Sequence, residues 1–494
     1  MGGVRSQAIT CVTPEDRKAH ALLMADMRAS AWVAPSTARQ AWRPPKSMHT
    51  SQRTVPTCRL DQTMKPISPS STPAVTQEVH FIPCCLPGGF PALKRRSTPR
   101  RVSTTQRSVP GTSVCIGSAF VAQYPRGGGL FWLPVQYLRG LRDLGHDAWW
   151  LEVLWTRGDA AFERHCIDVF WQQARAFGVA EQVALLYLPD SERDDAPGRV
   201  EYLGMTEAVL ASRRRDTLLL NLANSVTAPL RAGFARSALF DVDPGTFQLW
   251  AREWDMGVGS HDAYLTIGMH LGAPDSPIPL DGVPWARVWP TVHLGSWPRQ
   301  PPPAPHARYT TVTQWWNHHY AFLDGETYDC NKRSGFLPLL ALPQRAGVPL
   351  EIAANLHADE TEDRALLAQH GWRLVDPEAV AGSAVGFQRY VQASRGEVSA
   401  TKPAYVKARA GWISDRTVCY LASGRPCVVE ATGAEAHLPA SAGLRFFRSL
   451  DEAVEALRAV EADHAAAARA ARGLAEEVFS TRVVLPGLLA AAGA

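Results

Sequence analysis

The chain is poor in the features that would take it out of the ordinary globular class. It has no run of about 18 consecutive apolar residues, so a conventional membrane-spanning helix is not expected. Its opening residues lack the charged-then-apolar order of a secretory leader. The nine cysteines form no Cys-x-x-Cys pair and accompany no His-x-x-x-His, which argues against structural zinc. Five of them (Cys115, Cys166, Cys330, Cys419 and Cys427) lie in apolar runs such as SVCIGSAFVA and RPCVVE. They read as buried free thiols, which fits a reducing, cytoplasmic setting. A Gly-x-Gly-x-x-Gly fingerprint with a following acidic residue is also missing, which disfavours a nicotinamide oxidoreductase. Only the glycine-rich loop Gly127, Gly128 and Gly129 is superficially similar to it.

What is present is an uneven charge. The net charge of +4 conceals 16 Lys/Arg against 5 Asp/Glu in residues 1–110, and 35 against 42 in the rest. The body is therefore mildly acidic, and nothing in it calls for a nucleic-acid partner. Residues 1–110 are rich in Ser, Thr, Pro and Arg and carry no sustained helix or strand period. They read as a disordered basic tail, because too little apolar surface is concentrated there to offset chain entropy. A flexible tail, a transit-like leader and wrongly included upstream sequence remain three explanations of it.

From Ser113 the texture changes to strands alternating with amphipathic helices. SVCIGSAFV reads as a buried strand, followed by the glycine loop and a helix with Leu130, Leu133, Tyr137, Leu138, Leu141 and Leu144 on one face. Pro134 suits that helix only in its first turn, and Gly145 suits its C-terminal cap. DAWWLEVL is the next strand, which makes a βαβ unit and hence a parallel sheet. VALLYL, TLLLNLA and YLTIG continue the pattern. The stiff segment WPRQPPPAP (297–305) then separates two α/β regions. Beyond it come YTTVTQW, PLEIAAN, WRLVD, CVVE and a long Ala-rich helix opening with the capping box Ser449-Leu-Asp-Glu452. The boundaries expected are 111–300 and 306–494, and two such domains leave a cleft at the carboxyl ends of their strands.

The most informative segment is GWISDRTVCYLASGRPCVVEATG (411–433). Ser414 is a good N-cap, Asp415 sits in the first turn, and Gly424 with Pro426 ends the helix. Its N-terminus, with Arg416 beside it, is a natural anion site, although a well-capped helix with no ligand fits equally. On a loop before it, Glu397 and Lys402 could bind hydroxyl and phosphate groups. Lys332 with Arg333, ahead of another helix, could do the same, or all four could be ordinary surface charges. Asp241-x-Asp243 could hold a divalent metal or line a turn. His261 with Asp262 could form an acid/base pair, so His261 and Asp243 are the candidate catalytic residues.

LASGRPCVVEATG resembles the donor-binding segment of GT-B glycosyltransferases, and SAFVAQYPRGGGLFWLPVQYLRGLRDLGHDAWWLE is similar to their first βαβ unit. AEEVFSTRVVLPGLL resembles their return helix. The resemblance covers roughly residues 113–490. It implies an α/β fold of two Rossmann-like domains facing across a cleft, with an acceptor site in the first and a nucleotide-sugar donor in the second. It implies no cofactor and no metal. The donor contacts implied are Ser414, Asp415, Arg416, Glu397, Lys402, Lys332 and Gly424. The acceptor stays open. One departure stands out: the paired glutamates of the retaining branch would fall on Gly411 and Cys419. A GT-B-fold nucleotide-sugar epimerase, a metal-dependent GT-A enzyme on Asp241 and Asp243, or an inactive glycan-binding module are the alternatives.

Overall fold

The computed structural model describes residues 111–192, 197–317 and 319–494; the basic tail expected for 1–110 lies outside them. The first half is built on the strands β1 (Ser113–Ser118), β2 (Asp147–Trp155), β3 (Val183–Leu188), β4 (Glu201–Leu203), β5 (Thr217–Leu222), β6 (Arg236–Asp241), β7 (Ala263–Thr266) and β8 (Ala286–Arg287), of which β1, β2, β3, β5 and β6 are buried on both faces over nearly their whole length. Near-continuous Val, Leu and Trp runs such as AWWLEVLW suit strands covered by helices on both sides. The sheet order is β4-β3-β2-β1-β5-β6-β7-β8, parallel except for β3 against β4. Leaving aside the antiparallel edge, this is the doubly wound order, with its switch point between β1 and β5.

The second half repeats the arrangement. Its strands are β9 (Tyr309–Thr313), the separate hairpin β10 (Tyr320–Leu323) and β11 (Glu326–Asp329), then β12 (Leu350–Ala354), β13 (Arg373–Val375), β14 (Gly396–Ser399), β15 (Cys427–Glu430) and β16 (Leu444–Phe447). The six-stranded sheet runs β13-β12-β9-β14-β15-β16, all parallel. Its switch point lies between β9 and β14. Two parallel, Rossmann-like sheets flanked by helices are the α/β class expected from the sequence.

Several local expectations need correcting. The first helix, α1 (Gly128–Asp143), starts early enough to hold Pro134 in its interior, not its first turn. Tertiary packing overrides the proline penalty here: Phe131, Trp132, Val135, Tyr137, Leu138 and Leu141 are all buried. Glu397 does not sit on a loop; it is in β14, whose four residues are all buried. The long Ala-rich helix is broken at Asp463, whose side chain caps the next segment at Ala466 N–H (2.9 Å). A π-turn at Ala475–Phe479 follows. The strands β6, β14 and β16 carry too few residues with a clear period to be read from the sequence.

The halves are joined twice. Val292 N–H donates to Phe479 O (2.8 Å) and Thr481 N–H to Val292 O (3.1 Å), so the outgoing and returning chains pair with each other. After this, the helix Thr481–Ala492 packs back on α1, with Thr481 and Leu485 against Gly140. The halves also interlock through α1 and the helix α2 (Ala384–Ala393). Trp132 Nε1 donates to Ala384 O (2.9 Å), and its ring lies 4.8 Å from that of Trp297. Gly128 makes this approach possible: a Cβ there would stand 2.1 Å from the Ser383 carbonyl oxygen. Backbone cannot swing aside as a side-chain end can, so Gly128→Ala should destabilise the protein by about 1–3 kcal/mol. Urea denaturation checks this, and an unchanged midpoint would mean that the α1–α2 contact carries no stability.

Candidate functional site

The site grows from the carboxyl ends of β9, β14 and β15 and from the helix α3 (Asp415–Ala422) that opens between them. Ser414 is its N-cap, extended at φ −70° and ψ 139°, and its Oγ accepts Arg416 N–H (3.2 Å). Gly424, at φ +71°, closes the end of the element as expected of a left-handed cap. Arg416 does not project into solvent. Its Nε donates to Glu397 Oε1 (2.8 Å), its Nη1 to Val312 O (2.7 Å) and its Nη2 to Ser399 Oγ (2.6 Å). The guanidinium thus binds β9, β14 and α3 together, and Glu397 is 0% exposed. The expected roles of Arg416 as a free phosphate contact and of Glu397 as a hydroxyl contact are therefore revised: the two charges are spent first on each other.

A cation near this helix stands without a partner among the described residues. Lys332, in the first turn of the short helix Lys332–Phe336, makes no hydrogen bond or ion pair among the described residues. Burial pushes its pKa down to about 7, and the charges of Arg416 and Lys402 add to the depression, against the opposing pull of Asp415 and Glu397. Asp415 is half-buried beside it, and desolvation raises its carboxyl above the usual range. Arg333, its sequence neighbour, is turned away into a bidentate pair with Asp363 (2.7 and 2.8 Å).

Lys402 reaches across the seam. Its Nζ donates to Asp243 Oδ1 (2.7 Å), and Tyr405 Oη donates to the same oxygen. Burial opposes the charge of Asp243, yet Lys402 and Tyr405 hold its carboxyl below the usual range. Asp241 is pushed up to about 6 by burial and accepts from Gln248 Nε2 (2.9 Å), Thr266 Oγ1 (2.7 Å) and Asp243 N–H (2.8 Å). Both carboxylates of the Asp241-x-Asp243 pair are already engaged by protein donors.

Two candidates are not brought to this cluster. His261 is buried within the first half, where Nδ1 donates to Gly257 O (2.8 Å) and Nε2 accepts from Asn221 Nδ2 (3.0 Å). Desolvation lowers its pKa to about 4, so it is a neutral structural histidine whose lone pair is taken. Asp262 accepts Ser237 N–H instead of pairing with it. The glycine loop Gly127–Gly129 faces α2: Gly128 abuts Ser383 and Gly129 the Phe387 ring. Its glycines serve the packing of the halves. Gly411 is likewise a packing position, since a Cβ there would lie 2.2 Å from His270 N.

No family model and no curated protein matches the chain. Solved structures similar to it include HepE of Anabaena in complex with UDP and glucose, at 11% identity and TM-score 0.44, covering 77% of this chain and 98% of that one. An alpha-glucosyltransferase in complex with UDP is similar at 9% identity and TM-score 0.47, with coverages of 77% and 100%. Sucrose-phosphate synthase from Thermosynechococcus elongatus follows at 10% identity and TM-score 0.45, with coverages of 77% and 97%.

Sequence reasoning overlooked three groups here. Tyr405 gave no signal beyond standing three residues after Lys402, one helical turn away. Glu430 ends β15 inside the segment singled out, and its acidic side chain in an otherwise apolar strand was the available clue. Glu152, buried in β2, accepts Val121 N–H and Ala122 N–H (2.8 Å each) and so shapes the loop after β1; its signal was a lone carboxylate in AWWLEVL.

Removing Arg416 strands Glu397 in a dry interior. Arg416→Ala should therefore cost about 3–5 kcal/mol of stability, and Arg416→Lys should recover only part of it, because one ammonium cannot serve three directions. Chemical denaturation of both variants is the check; wild-type stability in the alanine variant would place Arg416 in solvent.

Proposed function

We propose that this chain transfers a sugar from a nucleotide-sugar donor to an acceptor, with residues 306–494 holding the donor and 111–300 the acceptor. The observation that carries the reading is Lys332: an unpaired, desolvated ammonium close to the N-terminus of α3, at the seam of two Rossmann-like sheets. A helix N-terminus offers unpaired N–H groups and a positive field, and an adjacent cation completes a site for a diphosphate. The unfavourable energy of holding Lys332 charged there is relieved when an anion arrives.

The chemistry follows from charge. As the anomeric C–O bond of a nucleotide-sugar breaks, negative charge accumulates on the departing diphosphate. Lys332 and the N–H groups of α3 are fixed before the reaction and stabilise that charge without reorganising. Lys402 stands ready at the other side but is tied to Asp243, which joins the two halves across the reacting space. Ser414 and Gly424 fix the ends of the helix, and Asp415 offsets the repulsion among the cations. The free, buried thiols of the body suit work in the cytoplasm, and among the described residues no helix is long and apolar enough to cross a membrane.

Two measurements test the reading. Lys332→Met should weaken nucleoside-diphosphate binding about ten- to a hundredfold, the worth of one or two charge-assisted contacts. The sign with pH is fixed by the depressed pKa. Below about 7 Lys332 is charged and binds; as pH rises through about 7 the empty site loses its proton, so wild-type affinity should fall. Binding at pH 8 should take up a proton, and calorimetry in buffers of different ionisation enthalpy reads this directly. A Met variant that binds as tightly, with the same pH profile, would remove Lys332 from the site.

Second, excess chelator should leave nucleotide-sugar turnover intact, because Asp241 and Asp243 are occupied by Gln248, Thr266, Lys402 and Tyr405. Activity lost to chelation and restored by manganese would move the chemistry to those aspartates.

A further inference from the structure

The two halves also meet through a pair of imidazoles at the carboxyl ends of their sheets. His270 follows β7 in the first half and is 6% exposed; His437 closes the short turn Ala434–His437 after β15 in the second half and is exposed. His270 Nδ1 lies 2.9 Å from His437 Nε2, and the ring centres are 5.1 Å apart. The other nitrogen, His270 Nε2, donates to Asp275 Oδ1 (2.7 Å), and Asp275 Oδ2 takes Arg409 Nη2 from the second half (2.7 Å). The second half is shaped around His270. A Cβ on Gly411 would stand 2.2 Å from its backbone nitrogen, and one on Gly433 would stand 3.0 Å from its ring. Met269 N–H and His270 N–H donate to Gly411 O and Ala410 O (3.3 Å each).

An ionised carboxylate only accepts, so Asp275 fixes a proton of His270 on Nε2. The 2.9 Å contact then holds one proton between His270 Nδ1 and His437 Nε2. It persists with both rings neutral or with one of them charged, because one lone pair is still there to accept. Once both are charged, two N–H groups face each other and attraction becomes repulsion. We propose that this imidazole pair is an acid-sensitive latch between the halves, which loosens the seam at residues 268–276 and 432–437 when both rings carry a positive charge. The inference goes beyond the nucleotide-sugar reading and does not depend on it. The groups facing the pair set its direction. Partial burial, then the charges of His270 and Arg287, lower the pKa of His437, and Glu435 on its own turn opposes them. Glu435 is itself engaged by Arg448 Nη2 (2.6 Å). Asp275 is held below the usual carboxylate range, chiefly by the His270 hydrogen bond, with Arg409 adding to it, and stays an acceptor as pH falls. A histidine whose pKa is lowered in the closed state stabilises that state above its ordinary value of about 6.5, and loses the contribution as pH falls below it. The latch is therefore closed at neutral pH and opens in acid.

Hydrogen exchange of the full chain at about pH 7.5 and about pH 5.5, corrected for the intrinsic rate, reads the latch. Protection of segments 268–276 and 432–437 should fall about tenfold in acid, the effect of one pKa unit of repulsion. Protection of β2, far from the pair, should stay level and serve as the internal control. His437→Gln keeps an N–H donor toward His270 and does not titrate, so its protection should be the same at both pH values. His437→Ala removes the contact and should show the acid-level protection throughout. A melting curve near neutral pH verifies that both variants fold. Lys332 would raise nucleotide affinity over the same fall in pH, so the exchange result stands apart from the donor reading. Three results overturn the latch: level protection in wild type, an acid loss that persists in His437→Gln, or full protection of the alanine variant at neutral pH.

Discussion

The buried pair of Arg416 and Glu397 holds the second half's site in place. One guanidinium reaches the carbonyl of Val312 in β9, the carboxylate of Glu397 and the hydroxyl of Ser399 in β14, while its backbone opens α3. β9 and β14 are the two strands that flank the switch point. These bonds tie the N-terminus of α3 to both strands at that point. Desolvating two charges is expensive, and only complete hydrogen bonding repays it. Arg416 meets that condition through a carboxylate, a carbonyl and a hydroxyl at 2.6–2.8 Å, whereas Glu397 Oε2 is buried without a hydrogen-bond partner among the described residues.

With Arg416 committed, the charge balance around the crevice is decided by what is left over. Asp243 takes Lys402 from across the seam, and Asp363 takes Arg333 away from it. Lys332 has no hydrogen bond or ion pair among the described residues, and its depressed pKa reflects burial first and then the charges of Arg416 and Lys402. A site poised for an anion differs from a structural ion-pair network in this way: one cation is kept unmatched in low dielectric. The cross-seam pair of Lys402 and Asp243 has a second consequence. It links the sheets through side chains at their carboxyl ends, while Trp132, Trp297 and Phe387 link them through α1 and α2.

The glycines show how one residue type can serve opposite purposes. In the sequence Gly127–Gly129 has the look of a ligand loop, since glycine lets a backbone approach a phosphate closely. The same freedom lets one half of this chain approach the other, and the partner is Ser383. Gly411, with φ +74°, is pressed against His270 from the first half in the same manner. Absence of a Cβ specifies a close approach and leaves its object unspecified.

The sequence by itself determined the alternation of buried strands and amphipathic helices, because apolar period and turn chemistry are local. VALLYL and CVVE coincide with β3 and β15, and Ser414 and Gly424 bound α3 where cap chemistry puts them. It also contained every charged residue of the site. It could not say which charges were paired, because each pairing joins residues far apart in the chain: Arg416 with Glu397 and Val312, Lys402 with Asp243, His261 with Asn221. Burial decided the rest. His261 and Lys332 both read in the sequence as candidate site residues, but folding gives the first two hydrogen bonds and the second none among the described residues. Local pattern set the fold, and long-range contacts, which no sequence period records, decided which charges are paired.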